Sequence, residues 1–262
     1  MPDTFAYLYL HALTGLHPGS GTAIGTVDLP VQRERHTQWP MIPGSTLKGV
    51  LRDAMRQKLD DTSLFTTFGP ESPDADKHAG AFSITDARIL AFPVRSLNGV
   101  FAWVTCPATL SRYKRDLKLS KVKVNWKIPS IEADALIVDK SPLLIDAEQI
   151  ILEEFDFTCK GGAQDIADFI ADNAIRDDAT RETFKRNLVI VHDDQFTYFV
   201  RYATEVNTRI ALNYETKTVK TGALFNQEFL PAESLFYALA MISNSRNPDS
   251  KATASKIFCW VK

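Results

Sequence analysis

The feature that most limits what this chain can fold into is the passage 15–43, irregular throughout and rich in Gly and Pro. A connection of that length inside a compact domain is usually functional. What flanks it is regular. Residues 5–14 alternate, with Leu8, Leu10 and Ala12 on one side and Tyr7, Tyr9 and His11 on the other, which predicts a strand. Pro43-Gly44-Ser45 ends the passage, and Ser45 can cap a helix running to about Leu59. Leu47, Val50, Leu51, Ala54, Met55 and Leu59 give that helix an apolar stripe, and Lys48, Arg52 and Arg56 line another face four residues apart.

The remaining pattern mixes strands and helices. Strands are predicted at 81–90 and 100–105, then a helix from Pro107 with Thr105 as its cap. Residues 112–127 hold seven basic side chains against one acid, with Tyr113 and Trp126 interleaved. Short apolar runs at 135–138 and 150–157 indicate an inserted, strand-rich piece. Gly161-Gly162 leads into a helix carrying Ile166, Phe169 and Ile170, and a strand at 188–191 precedes a short helix with Phe196, Phe199 and Val200. Residues 209–212 and 219–225 form the arms of a hairpin across 213–217, and late strands are expected at 234–242 and 257–261. The order fits an α+β chain with a split βαβ, ferredoxin-like (RRM-like) core. We expect one domain, 1–262, with insertions near 15–43 and 108–187 and a hairpin near 205–226. Such a core is shared with RNA-recognition domains, but a sheet face alone does not fix function.

Composition removes several classes. There is no run of the ~20 apolar residues a membrane helix needs. The N-terminus lacks a basic signal-peptide region, so a cytoplasmic protein is expected. Cys106, Cys159 and Cys259 are widely spaced and form no CxxC pair, which argues against a disulfide framework or zinc. A net charge of −2 does not suit a protein that coats nucleic acid everywhere. Its distribution is uneven. Residues 1–130 carry 16 basic and 11 acidic side chains, residues 131–180 carry 3 and 13, and residues 181–262 carry 11 and 8. That asymmetry suggests one face for polyanions and another for protein neighbours or solvent.

The glycines Gly19, Gly21 and Gly25 are spaced one residue too long for a dinucleotide fingerprint, and 43–49 lacks the G-K-[ST] of a P-loop. No G-x-S-x-G, H-E-x-x-H or paired-carboxylate pattern is present. Two features carry chemistry. Backbone N–H groups at the start of the Ser45 helix, with Lys48 and Arg52 following, suit an anion such as phosphate, or else form an ordinary solvated basic face. Asp28 stands alone in the Gly/Pro passage, where an aspartate usually makes a turn.

The run His17-Pro18-Gly19-Ser20-Gly21, then Val27-Asp28-Leu29-Pro30, Arg33-Glu34, Trp39-Pro40 and the stretch from Pro43 through Lys48 to Asp53, resembles the N-terminal signature of the Cmr-type backbone subunits of type III-B CRISPR effectors, a branch of the RAMP superfamily. The likeness continues at Gly80-Ala81-Phe82, Asp86-Ala87-Arg88, residues 92–96, Val104-Thr105-Cys106-Pro107, Ala203-Thr204-Glu205, Arg209-Ile210, Gly222–Phe225 and Glu228. It implies copies stacked along a guide RNA, with a protruding hairpin thumb that kinks the guide–target duplex at regular intervals, and other subunits of the complex as partners. By that resemblance Asp28 is the cleavage residue for target RNA, acting with a loosely held divalent ion (Mg or Mn) and leaving a cyclic phosphate. It also implies RNA contacts at His17, Gly19, Ser20, Gly44, Ser45, Lys48, Arg52 and Arg209, with Glu228 supporting the site.

The C-terminal stretch departs from the family pattern. A glycine-rich loop is expected before the last strand, yet Ser255 and Ile257 stand where glycines belong and no glycine follows Gly222. The segment 252–257 is therefore expected to stand off from RNA, with Lys251 and Lys256 reaching phosphates through their side chains. An Asp, with a reference pKa of about 3.9, is a weak base at neutral pH. Asp28 is thus better read as an orienter or metal ligand than as sole general base. Two other readings remain open: a non-catalytic RNA-binding scaffold of the same assembly, and a free-standing enzyme that binds a small phosphorylated ligand at 45–48.

Overall fold

The computed structural model describes residues 4–23 and 25–261. Among these residues, twelve strands and seven α-helices follow in the order β1 (Thr4–His11), β2 (Met41–Ile42), α1 (Gly44–Arg56), α2 (Asp61–Phe68), β3 (Phe82–Ile84), β4 (Ala87–Arg95), β5 (Phe101–Thr105), α3 (Pro107–Leu119), β6 (Ala135–Ile137), β7 (Gln149–Leu152), β8 (Phe155–Gly161), α4 (Gln164–Ala174), α5 (Asp178–Asn187), β9 (Leu188–Val191), α6 (Asp193–Tyr202), β10 (Glu205–Leu212), β11 (Val219–Phe229), β12 (Leu235–Ile242) and α7 (Ala254–Val261). The architecture is α+β.

Ten strands make one mixed sheet, ordered β1-β12-β4-β5-β9-β6-β8-β7, with β2 on β4 and β3 on β12. The late strand β12 lies between β1 and β4, antiparallel to both. Thus β1 and β4 run parallel, joined through α1 and split by an inserted strand, which is the expected split βαβ connection. The period-2 pattern of β1 is realised. Leu8 and Leu10 pack on the cluster with Phe92, Val104, Phe236 and α6, while Tyr7 and Tyr9 pack on the cluster with Trp103, α3, α4 and α5. A third cluster, around Met55, Leu64, Phe82, Ile242 and Ile257, closes the end of the sheet.

Several expectations need correcting. Ser45 does not cap α1; Pro43 does so without a side-chain bond. The first helical N–H, that of Gly44, is instead bound by Asp86 Oδ1 at 2.8 Å. This follows from close approach, because a Cβ on Gly44 would sit 2.7 Å from the carbonyl oxygen of Ile84. The single strand predicted at 81–90 is two, β3 and β4, broken where Thr85 and Asp86 turn toward that helix. Thr105 does not cap α3; Cys106 occupies the cap.

The predicted strand at 257–261 is helix α7. A short apolar run does not distinguish the two states, and here Ala254, Ile257, Phe258 and Val261 recur at helical spacing. Ala254 and Ile257 are buried in the third cluster. Helices α2 and α5 add to the predicted elements; Asp60 and Asp177 cap them through the N–H groups of Ser63 and Thr180. Among the described residues, no helix is long and apolar enough to cross a membrane.

Candidate functional site

The passage 15–43 is irregular in sequence but not loose in space. It wraps the base of the β10–β11 hairpin by short bridges, Leu16 to Leu230 just past β11 and Leu29 to Gln227, and folds on itself through Gly19 to Val31. Under these bridges lies Glu228, buried, with both carboxylate oxygens occupied. Arg33 Nη2 (2.6 Å) and the Thr204 hydroxyl (3.0 Å) both donate to Oε1, while the Val31 N–H donates to Oε2 at 2.9 Å. Arg33 Nη1 donates to the carbonyls of Val200 (2.8 Å) and Gln38 (2.9 Å). A buried ion pair is tolerated only when its remaining valences are filled in this way.

That knot fixes the position of Asp28. Leu29 exchanges backbone bonds with β11, its N–H to the Asn226 carbonyl and its carbonyl to the Glu228 N–H, both at 3.0 Å. Asp28 is exposed, and its Oδ2 accepts the Asn226 N–H at 2.8 Å. The aspartate thus makes no simple turn. One carboxylate oxygen is held by the hairpin, and Oδ1 has no protein donor among the described residues.

His17 is fixed beside it. Its Nδ1 lies 2.6 Å from the Glu228 carbonyl, which can only accept, so Nδ1 carries the hydrogen and Nε2 is the free ring nitrogen. A Cβ on Gly19 would stand 2.8 Å from that Nε2, so the glycine leaves room for the imidazole. The ring of Phe229 sits 5.6 Å from His17 and carries the Arg209 guanidinium 5.4 Å away on β10. Ser20 is exposed and tied back through its N–H to the Pro30 carbonyl at 3.1 Å. His17, Gly19, Ser20, Asp28, Arg209 and Glu228 are therefore brought together. Asn226, Phe229 and Arg33 complete the arrangement and are not among the residues the sequence pointed to as the site. Arg33 lies in the signature stretch but carries no assigned role there, and Asn226 and Phe229 are recruited by the pairing of β11 with a distant loop.

Gly44, Ser45, Lys48 and Arg52 form a separate corner. Lys48 is half-buried, and its ammonium pKa is lowered, first by that burial and then by Arg52 and Arg246 nearby. Arg246, on the β12–α7 connection, is a third cation that spacing could not reveal. Arg52 lies 3.3 Å from Glu71 without hydrogen-bond geometry, and its Nη2 is buried and unpartnered. Arg56 takes the same carboxylate at 2.9 Å. At the helix start Asp86 holds one N–H, that of Gly44, so part of the anion site the sequence suggested is already filled.

Lys251 and Lys256 are exposed, and Lys256 leans over the Trp260 ring at 5.5 Å. Ser255 is exposed on α7 while Ile257 is fully buried, so the position where a family glycine was expected serves the core here. Among the described residues no three His, Cys, Asp or Glu side chains converge as metal ligands. The donor set near Asp28 does not fit a protein-caged ion. It does fit a largely hydrated divalent cation shared between one carboxylate and substrate phosphates.

Residues 9–254 match the model of the RAMP superfamily. Over 259 residues the chain is 40% identical to the CRISPR system Cmr endoribonuclease Cmr4 of Pyrococcus furiosus, covering 96% of this chain and 86% of that protein. It superposes on oligomeric Cmr4 from Pyrococcus furiosus with a TM-score of 0.74 and 32% identity, over 99% of this chain and 88% of the other. A chain of the type III-B Cmr-beta complex bound to cognate target RNA superposes with a TM-score of 0.75 over 95% and 87%. At 20% identity that last likeness is one of fold.

Proposed function

The chain belongs to the RAMP superfamily, and from that premise we propose that it is a backbone subunit of a type III-B CRISPR effector, an endoribonuclease that cuts guide-bound target RNA. The observation that carries the reading is an exposed Asp28 held on β11 through the Asn226 N–H, beside a hairpin that leaves the body of the molecule. Copies stack along the guide RNA, and β10–β11 is the thumb that opens the duplex. A 2′-hydroxyl attacks its neighbouring phosphorus, the 5′-oxygen leaves, and a cyclic phosphate and a free 5′-hydroxyl result. In-line geometry is denied within an A-form helix and allowed at a splayed nucleotide, so positioning supplies much of the rate.

Asp28 orients the attacking hydroxyl or helps hold a hydrated Mg or Mn ion, which would neutralise charge on the phosphate. His17 Nε2 and Arg209 contact RNA beside it, and Glu228 supports them from below. Lys48, Arg52 and Arg246 take guide phosphates. The test is a cleavage ladder on guide-paired target with Asp28→Ala and Asp28→Asn. Both should assemble with guide RNA and lose at least roughly a hundredfold in cutting. Normal cutting by Asp28→Ala would remove the aspartate from the chemistry, and failure to assemble would make it a structural residue.

A further inference from the structure

Two surface depressions of opposite charge lie away from the Asp28 loop and the α1 corner. The first, of about 420 Å³, lies between β8 and α6 and is lined by Phe155, Tyr198, Asp134, Asp156 and Asp194 among others. It continues past Tyr198 into a smaller hollow with Glu153, Glu154 and Tyr202. Phe155 and Tyr198 are each 39% exposed and Tyr202 62%, in a chain of ring contacts at 5.1 and 4.9 Å. Among the described residues Asp134, Asp156 and Asp194 form no ion pair. The second, of about 600 Å³, lies between α3 and residues 122–128. Lys114, Arg115, Lys118 and Lys123 line it with Val122 and Ile128, and no acid does.

The two lie on opposite sides of the sheet. Helix α6 buries Phe196 and Phe199 in the cluster on one face, and α3 buries Leu110, Tyr113 and Leu117 in the cluster on the other. One molecule cannot bring its own two patches together, but two copies can. Such a contact joins unlike surfaces, so it repeats from copy to copy rather than closing on itself. Polyphosphate is repelled by the acidic patch, whereas exposed aromatic rings ringed by charge are the composition of a protein interface.

We propose that the acidic aromatic face at Phe155, Tyr198 and Tyr202 receives the basic α3 groove of the next copy of this chain. The proposal rests on the stacking of copies described above and names the surfaces that do it. Charge complementarity of this kind fixes partner and register.

The test uses two full-length variants, Asp156→Lys with Asp194→Lys, and Lys118→Glu with Lys123→Glu. Their self-association is followed by sedimentation at low and high salt, with and without single-stranded RNA of guide length. Each variant should self-associate at least about tenfold more weakly than wild type with an unchanged melting temperature. An equimolar mixture of the two should associate again, because each reversed face then meets a complementary one. Wild-type association should weaken as salt rises. The proposal is overturned if either variant assembles like wild type, if the mixture stays dispersed, or if wild type is monomeric in every condition. Loss of RNA binding by the lysine variant with no rescue in the mixture would make the groove an RNA site instead. Target cutting by wild type is scored separately, so a failed ladder beside a rescued mixture sinks the nuclease reading and spares the interface.

Discussion

The two ends of the β10–β11 hairpin are built on opposite principles. At the base, Glu228 is buried with both oxygens filled by Arg33, Thr204 and the Val31 N–H. Toward the tip, Ile210, Leu212 and Leu224 are more than half exposed, Tyr214 is 85% exposed, and the register shifts between Ile210 and Leu212. Over the Tyr214 ring lies the Lys217 ammonium, 4.0 Å away, a flexible cover rather than a core. The base takes its geometry from the fold. The tip has apolar surface and no core to put it in, so what it touches must come from outside.

The sharpest way to break this contrast is to attack the base. Glu228→Ala strands the Arg33 guanidinium in a buried place, and removing one partner of a buried pair costs about 3–5 kcal/mol. A large drop in melting temperature is expected, and cleavage should fall with it; a calorimetric scan that leaves the variant at the wild-type temperature refutes the base as a structural knot. Next in size is Asp28→Asn, which keeps an acceptor for the Asn226 N–H but loses the charge. Stability should change by less than about 1 kcal/mol, the usual net value of one hydrogen bond. Cutting should fall by roughly a hundredfold or more, as measured by single-turnover kinetics.

Removing the tip, residues 213–217, should leave the melting temperature alone and shift or abolish the cut positions. An unaltered ladder would move the duplex-opening role to another element, with 112–127 the next to test. In the α1 corner, Lys48→Ala should lower the slope of log K against log salt by roughly 0.7 for each phosphate no longer neutralised. Because burial and two arginines depress its pKa, Lys48 releases its proton at lower pH than a solvated lysine, and a bound phosphate would restore it. Guide affinity should therefore decline as pH rises through that depressed pKa, and Lys48→Arg should flatten the decline. The smallest effect belongs to Lys251→Ala with Lys256→Ala, a modest loss of affinity that vanishes at high salt.

What can be read from the chain alone follows from where the information is local. The alternation in β1 and the apolar runs of β9 and β12 announce their state because each buries a face with its own residues. The hairpin is legible from its turn residues between two short arms even though it buries no face, and Asp28 stands out because no other acid lies near it in the sequence. The α7 segment misleads because five apolar and aromatic residues in a row suit either state, and the choice is made by Met55, Leu64 and Ile242 from distant parts of the chain. The partners of Asp28 and Glu228 lie some two hundred residues away, so no spacing rule can name Asn226 or Arg33. Arg246 is hidden likewise.

The bond between Asp86 and the N–H of Gly44 has a bearing on selectivity. A helix start left open beside Lys48 and Arg52 would attract any small phosphorylated metabolite in the cell. Here the chain's own Asp86 carboxylate already takes the first of those N–H groups, that of Gly44, so a free nucleotide would compete with it there. A polymer that follows the proposed path would meet Lys48 together with Arg246, which is near enough to lower the Lys48 pKa. If the corner takes guide phosphates as proposed, it should favour strands over free nucleotides.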